Sequence, residues 1–310
     1  MKARHQNGIL TCRNILLPGI LTLGLLITGC GGSSSSGNSR PALANINENI
    51  APLFVGMVLF SHEMSDDLMQ MAYWPAEDML DQGLCPENIL EDDGEGNIHI
   101  AFRDCEVFEN EDESQRFFGS FTRRPHDEAD SYTLTIDDFE ILREQRQGQN
   151  YQTQRTFLSG WLERSYDHAS DPTAGTVTAR NLEQLMEVSM ETGSMSVRAY
   201  MHLIAHDLTT PFTLNSDGSV QQTSPSGEIS VFMGTERAGG RAIITTPSEL
   251  TFEGWDCLAY GEIHFEGANN TWMSIVAMGQ DDIVVTINGD ALPSMGCIDL
   301  QDWTYSSIPF

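Results

Sequence analysis

His202 and His206, four residues apart, are the first pair whose type and spacing could do chemistry. On a helix their side chains would stand about 6 Å apart and could share a metal ion. On a strand, at ~3.3 Å per residue, they would lie about 13 Å apart, too far to chelate. Val197, Ala199, Met201, Leu203 and Ala205 alternate as a strand does, while Val197, Met201, Ile204 and Leu208 fit a helix. No glutamate follows His202 as the H-E-x-x-H pattern requires, so metal binding is not the expected role. Glu91, Asp93 and Glu95 fall at positions 1, 3 and 5 of a calcium-type loop, with Gly96 at position 6 and Ile98 at position 8. Position 12 is Phe102 rather than glutamate, and a strand pattern follows, so a solvated acidic turn is the preferred reading. The chain has no G-x-S-x-G elbow and no P-loop glycine-lysine signature. Enzymatic activity is not expected, nor is a cofactor.

Cysteine supplies a different chemistry. Cys85, Cys105, Cys257 and Cys297 contain no C-x-x-C pair, which argues against a redox catalyst or a zinc ribbon. As an even set in an oxidising compartment they are expected to form two disulfides. Of three connectivities, Cys85–Cys105 and Cys257–Cys297 are preferred, because each pair brackets a short stretch able to fold back on itself.

Cys12 and Cys30 belong to the N-terminus, where Lys2, Arg4 and Arg13 precede an apolar run from Ile15 to Ile27. Basic leader, short apolar core and small-residue exit describe a secretory signal. The run is about 13 residues, short of the ~20 that span a bilayer, so a transmembrane anchor is the weaker reading. Ile27-Thr28-Gly29-Cys30 resembles the lipobox of bacterial lipoproteins. That resemblance implies cleavage before Cys30 and acylation of its thiol and amine, making residues 1–29 a signal peptide. Two or more acyl chains give stable attachment where one does not. Gly31 follows the cysteine where an aspartate would imply inner-membrane retention, so the resemblance implies the outer membrane of a Gram-negative envelope. Residues 30–46, rich in glycine and serine, read as a flexible tether.

The formal net charge is −29, and loss of the signal takes it to −32. Lys2 is the only lysine. Nucleic acid and anionic lipid are poor partners for such a field. Because the acid is spread over the whole body, adaptation to a salty habitat is preferred to cation capture.

Residues 47–310 are expected to form a single β-rich domain, mainly β in an α+β sense. Residues 49–74 carry helical spacing, with Asn49 as a cap and Pro52 in the first turn. Gly56 and the Ser61–Asp67 patch predict a break, giving one interrupted helix or two short ones. The methionines of this segment are expected to fill core, although they would also suit an adaptable groove. Beyond Gly96, Ile98, Ile100 and Phe102 alternate as a half-buried strand. Phe117-Phe118-Gly119-Ser120-Phe121 recurs loosely as Phe157-Leu158-Ser159-Gly160-Trp161. Thr133–Phe139 recurs as Thr176–Leu182, and Gly227-Glu228-Ile229 as Gly261-Glu262-Ile263. Offsets of 40 to 43 and 34 residues imply a hairpin-sized unit used several times. Leu182–Met190 is rich in helix formers, but the repeat favours strand there. Turns are expected at Asp171-Pro172, Asn215–Gly218, Gly239-Gly240 and Asn288-Gly289. The expected fold is a long antiparallel meander or open half-barrel with the N-terminal helix on one face.

In outline the body resembles β-rich Gram-negative envelope lipoproteins of unassigned role. It is also similar to open half-barrel carriers in which helices plug a curved sheet. The first resemblance implies a non-catalytic module that binds an envelope component or serves structurally. The second implies an apolar cavity for an acyl chain or similar ligand.

Overall fold

A computed structural model describes residues 41–310 apart from 60, 62, 74–88, 93, 95, 111, 127–130, 149, 168–172, 193–194, 235–237, 254–256 and 307–310. Residues 1–40, which include the expected signal peptide, Cys30 and most of the expected tether, therefore lie outside the described residues. The body is mainly β. Strands β1 (Ile89–Asp92), β2 (Ile98–Asn110), β3 (Glu113–Pro125), β4 (Tyr132–Gln147), β5 (Asn150–Tyr166), β6 (Ala174–Thr192) and β7 (Met195–Leu214) pair in chain order, each antiparallel to the last. Leu182–Met190 lies inside β6, so the repeat outweighed helix propensity there. Sheet pairing on both sides overrides a bias of a few tenths of a kcal/mol per residue.

Next to β7 lie two short strands, β8 (Val220–Thr223) and β9 (Ser226–Met233), separated by Ser224 and Pro225. Both also pair with β10 (Ala238–Glu253), so they fill one lane of the sheet in two pieces. Proline has no N–H for the ladder, which is why the lane breaks there. The meander resumes through β11 (Cys257–Glu266), β12 (Trp272–Met278), β13 (Ile283–Ile287) and the two-residue β14 (Asp290–Ala291). Among the described residues the sheet has fourteen strands, and no pairing joins β1 to β14, so it stays open.

Helix α1 (Ala51–Leu59) covers one face of this sheet. Ala51, Phe54, Val55 and Val58 are fully buried, and the mean character of the helix is apolar all round, as a helix enclosed on every side requires. Its Phe54 ring packs 6.4 Å from that of Phe265 on β11. On its other side lies α3 (Cys297–Ser306), against which Gly56 packs: a Cβ there would meet Thr304 Cβ at 3.7 Å. Gly56 therefore does not break the helix. The break falls after Leu59, where the buried Ser61 hydroxyl donates to Val58 O at 2.8 Å and meets Thr210 Oγ1 of β7 at 2.8 Å. A short α2 (Met64–Leu68) then runs into a wider turn over Met69–Tyr73. The cap expected at Asn49 is instead an Asn47 turn, whose Oδ1 accepts the Asn49 N–H at 2.9 Å.

The repeat has a structural meaning that its spacing alone did not disclose. Asp104, Gly119, Asp138, Gly160, Asn181 and Gly227 all have positive φ. Ladder register slips at Arg103/Cys105, Phe118/Ser120, Ile136/Phe139, Ser159/Trp161 and Ala205/Asp207. These positions line up across neighbouring strands, so one row of bulges crosses the sheet and bends it. Gly119 sits against Asp138, and Gly160 against Asn181: a Cβ on either glycine would lie 2.2 or 2.3 Å from the partner's carbonyl oxygen. Each recurrence of the motif is one glycine facing one bulged Asp or Asn. The 34-residue recurrence likewise sets each glycine against a neighbouring carbonyl, Gly227 against Asp207 and Gly261 against Glu249, although Glu249 is neither Asp nor Asn.

Two of the expected turns are described in full. Asn215–Gly218 links β7 to β8, and Asn288-Gly289 links β13 to β14 with φ of +54° and +96°, the signature of a type I′ hairpin turn. Gly239-Gly240 is not a turn. It lies within β10, where a Gly240 Cβ would come 2.8 Å from Ala44 Cα, so the glycines admit the incoming N-terminal segment. Asp171-Pro172 lies outside the described residues.

Candidate functional site

Immediately beyond the bulge row, past Phe139, Leu158, Leu182 and Ala205, β4–β7 divide into two halves. On one side, Leu134, Ile136, Phe139, Leu158, Leu162, Val177, Ala179, Leu182, Ala205 and Leu208 are buried in the core. On the other, the same strands run on past the core. β6 and β7 are 19 and 20 residues long, against an ordinary strand of about 5–6 residues. Beyond Leu182 no residue of β6 is fully buried, and Met195 and Val197 of β7 are 68% and 49% exposed. This projecting half is the candidate site, because sheet that closes no core must be held by something other than folding.

Its two faces differ. The face that continues the core carries Met186, Val188 and Met190 on β6, opposite Met201, Ala199 and Val197 on β7. Across the next ladder, Met201 faces Met233 of β9. All but Val197 are half-buried. The opposite face carries charge. Arg155 donates from Nη2 to Glu140 Oε2 at 2.8 Å and from Nη1 to Glu187 Oε2 at 3.4 Å. The Glu140 hydrogen bond raises the Arg155 pKa above its ordinary value. Arg116 reaches Glu106 at 3.1 Å. His202 Nε2 lies 2.6 Å from Glu183 Oε1, and hydrogen bonding to His202 lowers the Glu183 pKa below the usual carboxylate range. Thr153, Arg155, Glu187, Arg198 and Tyr200 border an open hollow of about 480 Å³ beside this ladder.

The histidine pair is therefore split by the strand that bears it. His202 packs between Tyr200 and Phe232, with ring centroids 6.1 and 5.8 Å away. His206 is buried, and its Nε2 lies 2.7 Å from Ser230 Oγ. That Ser–His pair has the atoms of a nucleophile and a base, but Ser230 has no exposed surface, so a substrate could not reach it. Glu91 stands in β1 opposite His99 rather than in a loop. Asp93 and Glu95 lie outside the described residues. Among the described residues, no three His, Cys, Asp or Glu side chains converge as a metal site.

Cys257 and Cys297 form a disulfide with Cα atoms 5.4 Å apart, tying α3 to the start of β11. Cys105 is also disulfide-bonded, while Cys85 lies outside the described residues. Arg164, nearly buried on β5, pairs with Asp66 of α2 and lies 5.2 Å over the Tyr166 ring and 5.3 Å over Phe212. Burial works to lower its pKa, yet the Asp66 carboxylate lifts it above the ordinary value. This contact fastens α2 to the sheet.

Sequence reasoning missed the methionine row and the Arg155 ladder. Both depend on which residue of one strand faces which residue of the next, and only register supplies that. The chain matches no known protein-family model, and neither a curated protein nor a solved structure resembles it significantly.

Proposed function

We propose that this protein is a lipid-anchored component of a bacterial cell envelope, held at the outer membrane through Cys30, with a non-catalytic β-body that binds another envelope component. One observation carries the anchoring: a basic leader, a short apolar run and Ile27-Thr28-Gly29-Cys30 occur in that order. No described helix is long and apolar enough to cross a membrane. The interface around α1 is filled, with Phe54, Val55 and Val58 fully buried, which supports a binding or structural module over a hollow carrier. The strong negative charge supports partners other than nucleic acid. Mass spectrometry of the mature N-terminus tests the anchor: the expected product begins at an acylated Cys30. An unmodified peptide beginning upstream of it, or Cys30→Ser leaving processing and fractionation unchanged, would overturn it.

A second reading has a specific observation behind it. The apolar row on the projecting half, from Val188 and Ala199 to Leu203, continues the core face and offers a surface to an acyl chain or similar ligand. Solvent extraction of the purified protein followed by mass analysis separates the two readings. A stoichiometric lipid other than the covalent anchor favours the carrier, and its absence favours the module.

A further inference from the structure

Met186, Met201 and Met233 stand directly opposite one another on three adjacent strands, β6, β7 and β9, and all three point to the face that continues the core. Directly opposed residues stand about 4.5–5.5 Å apart at Cβ, so Met186 and Met233 flank Met201 with about 10 Å between them. A methionine sulfur lies two bonds beyond Cβ on an unbranched chain with three rotatable bonds. Both outer side chains are therefore long enough to swing inward and bring three thioethers together above the middle strand. We propose that Met186, Met201 and Met233 form a thioether site for a soft monovalent cation, Cu(I) or Ag(I).

Three features favour this over simple core filling. All three residues are half-buried, and Met186 and Met201 lie past the buried cluster rather than within it. Sheet physics would choose valine or isoleucine at such positions, since β-branched residues suit a half-exposed pleat and methionine is a helix former. Half-exposed methionine is also open to oxidation, a liability that a bound metal offsets by occupying the sulfur lone pairs. The neighbours agree with a soft ion. Among the described residues of β6 and β7, the row on this face is bordered by Gln184 and Leu203 on one side and by Val188 and Ala199 on the other, and none of these is a carboxylate that would favour a hard cation. Thioethers select Cu(I) among the biological metals, and the protein's net charge of −29 draws cations toward it.

Silver ion tests this directly, because it needs no reductant and leaves the disulfides intact. The full-length protein, with free thiols first alkylated, is titrated with Ag(I) and the bound metal counted by native mass spectrometry. The wild type is expected to bind one Ag(I) more than a Met186→Leu, Met201→Leu, Met233→Leu triple variant. Leucine for methionine conserves volume, so the fold persists, as circular dichroism will check. Met201→Leu alone is expected to weaken that binding by at least about tenfold, the scale of losing even a supporting group at a metal centre. Met190→Leu, two positions further out on the same face beyond Val188, is expected to change nothing. Equal uptake by the wild type and the triple variant would overturn the proposal, and so would a loss at Met190→Leu as large as at Met201→Leu.

Discussion

The covered and projecting halves of the long strands are made of the same backbone pairing but held by different forces. In the covered half, a side chain such as Leu158 or Ile136 reaches the buried core that α1 caps. In the projecting half, the ladder continues with unbroken register from Glu183 to Thr192, yet side chains meet water on both faces. The first half is stabilised by removing apolar surface from water, at roughly 25 cal/mol per Å². The second relies on cross-strand pairs worth about 0.2–1 kcal/mol each and on charge. A sheet extended this far past its core gains little from burial, which is why the projecting half is the candidate site.

The row of bulges lies just inside the boundary between the halves, and breaking it should have the largest effect. Gly160→Val places a Cβ within 2.3 Å of the Asn181 carbonyl oxygen, at a φ of +126° that a β-branched residue does not adopt. The rigid backbone on both sides leaves no route to relief, so we expect a loss of about 4 kcal/mol or failure to fold, read by urea denaturation. Gly148→Ala, at φ +65° in the projecting half with nothing near its Cβ, should cost only about 1 kcal/mol. Equal losses would erase the distinction between the two halves.

Phe54→Ala on α1 comes next. Its ring is fully buried against Phe265, so its removal should cost about 3–5 kcal/mol. Val197→Ala, on the exposed tip of β7, should stay within about 0.5 kcal/mol by the same measurement. Reducing Cys257–Cys297, or replacing Cys297 by alanine, should fall slightly lower, at about 2–4 kcal/mol. The loss should appear in the covered half, where hydrogen exchange in α3 and at the start of β11 accelerates and exchange in β6 beyond Leu182 does not.

How much of this could be read in advance depended on whether local sequence or register determined it. Alternation in Ile283, Val285 and Ile287 announces β13, and Asn288-Gly289 announces its turn, because both signals are local. The recurrence of Phe117–Phe121 at Phe157–Trp161 told of a repeated hairpin but not of its cause. That cause is a carbonyl on the neighbouring strand, which one strand's sequence cannot specify. Gly239-Gly240 misled for the same reason, since a glycine pair signals a turn as readily as a close approach by a distant segment, here Ala44. The His202/His206 spacing was ambiguous until the strand separated the two side chains. Of the candidate site, Met186, Met201 and Met233 lie at unrelated positions in sequence and become a group only when β6, β7 and β9 align.

The smallest expected effect concerns charge in the projecting half, and it has a definite sign. Glu183 has its pKa lowered, chiefly by its hydrogen bond to His202, so the folded state favours the carboxylate. A depressed carboxylate pKa contributes stability that is present above the unfolded value, near 4.5 in this case, and is lost as pH falls through the folded value. Glu183→Gln removes that contribution. The wild type should therefore exceed the variant in urea midpoint at neutral pH, and the gap should close as pH drops below about 4.5. Because Glu183 is partly solvated, the gap should also shrink with added salt, whereas the Phe54→Ala loss should not. A pH-independent gap would mean that Glu183 acts through packing, and the projecting half would then share the covered half's mode of stabilisation.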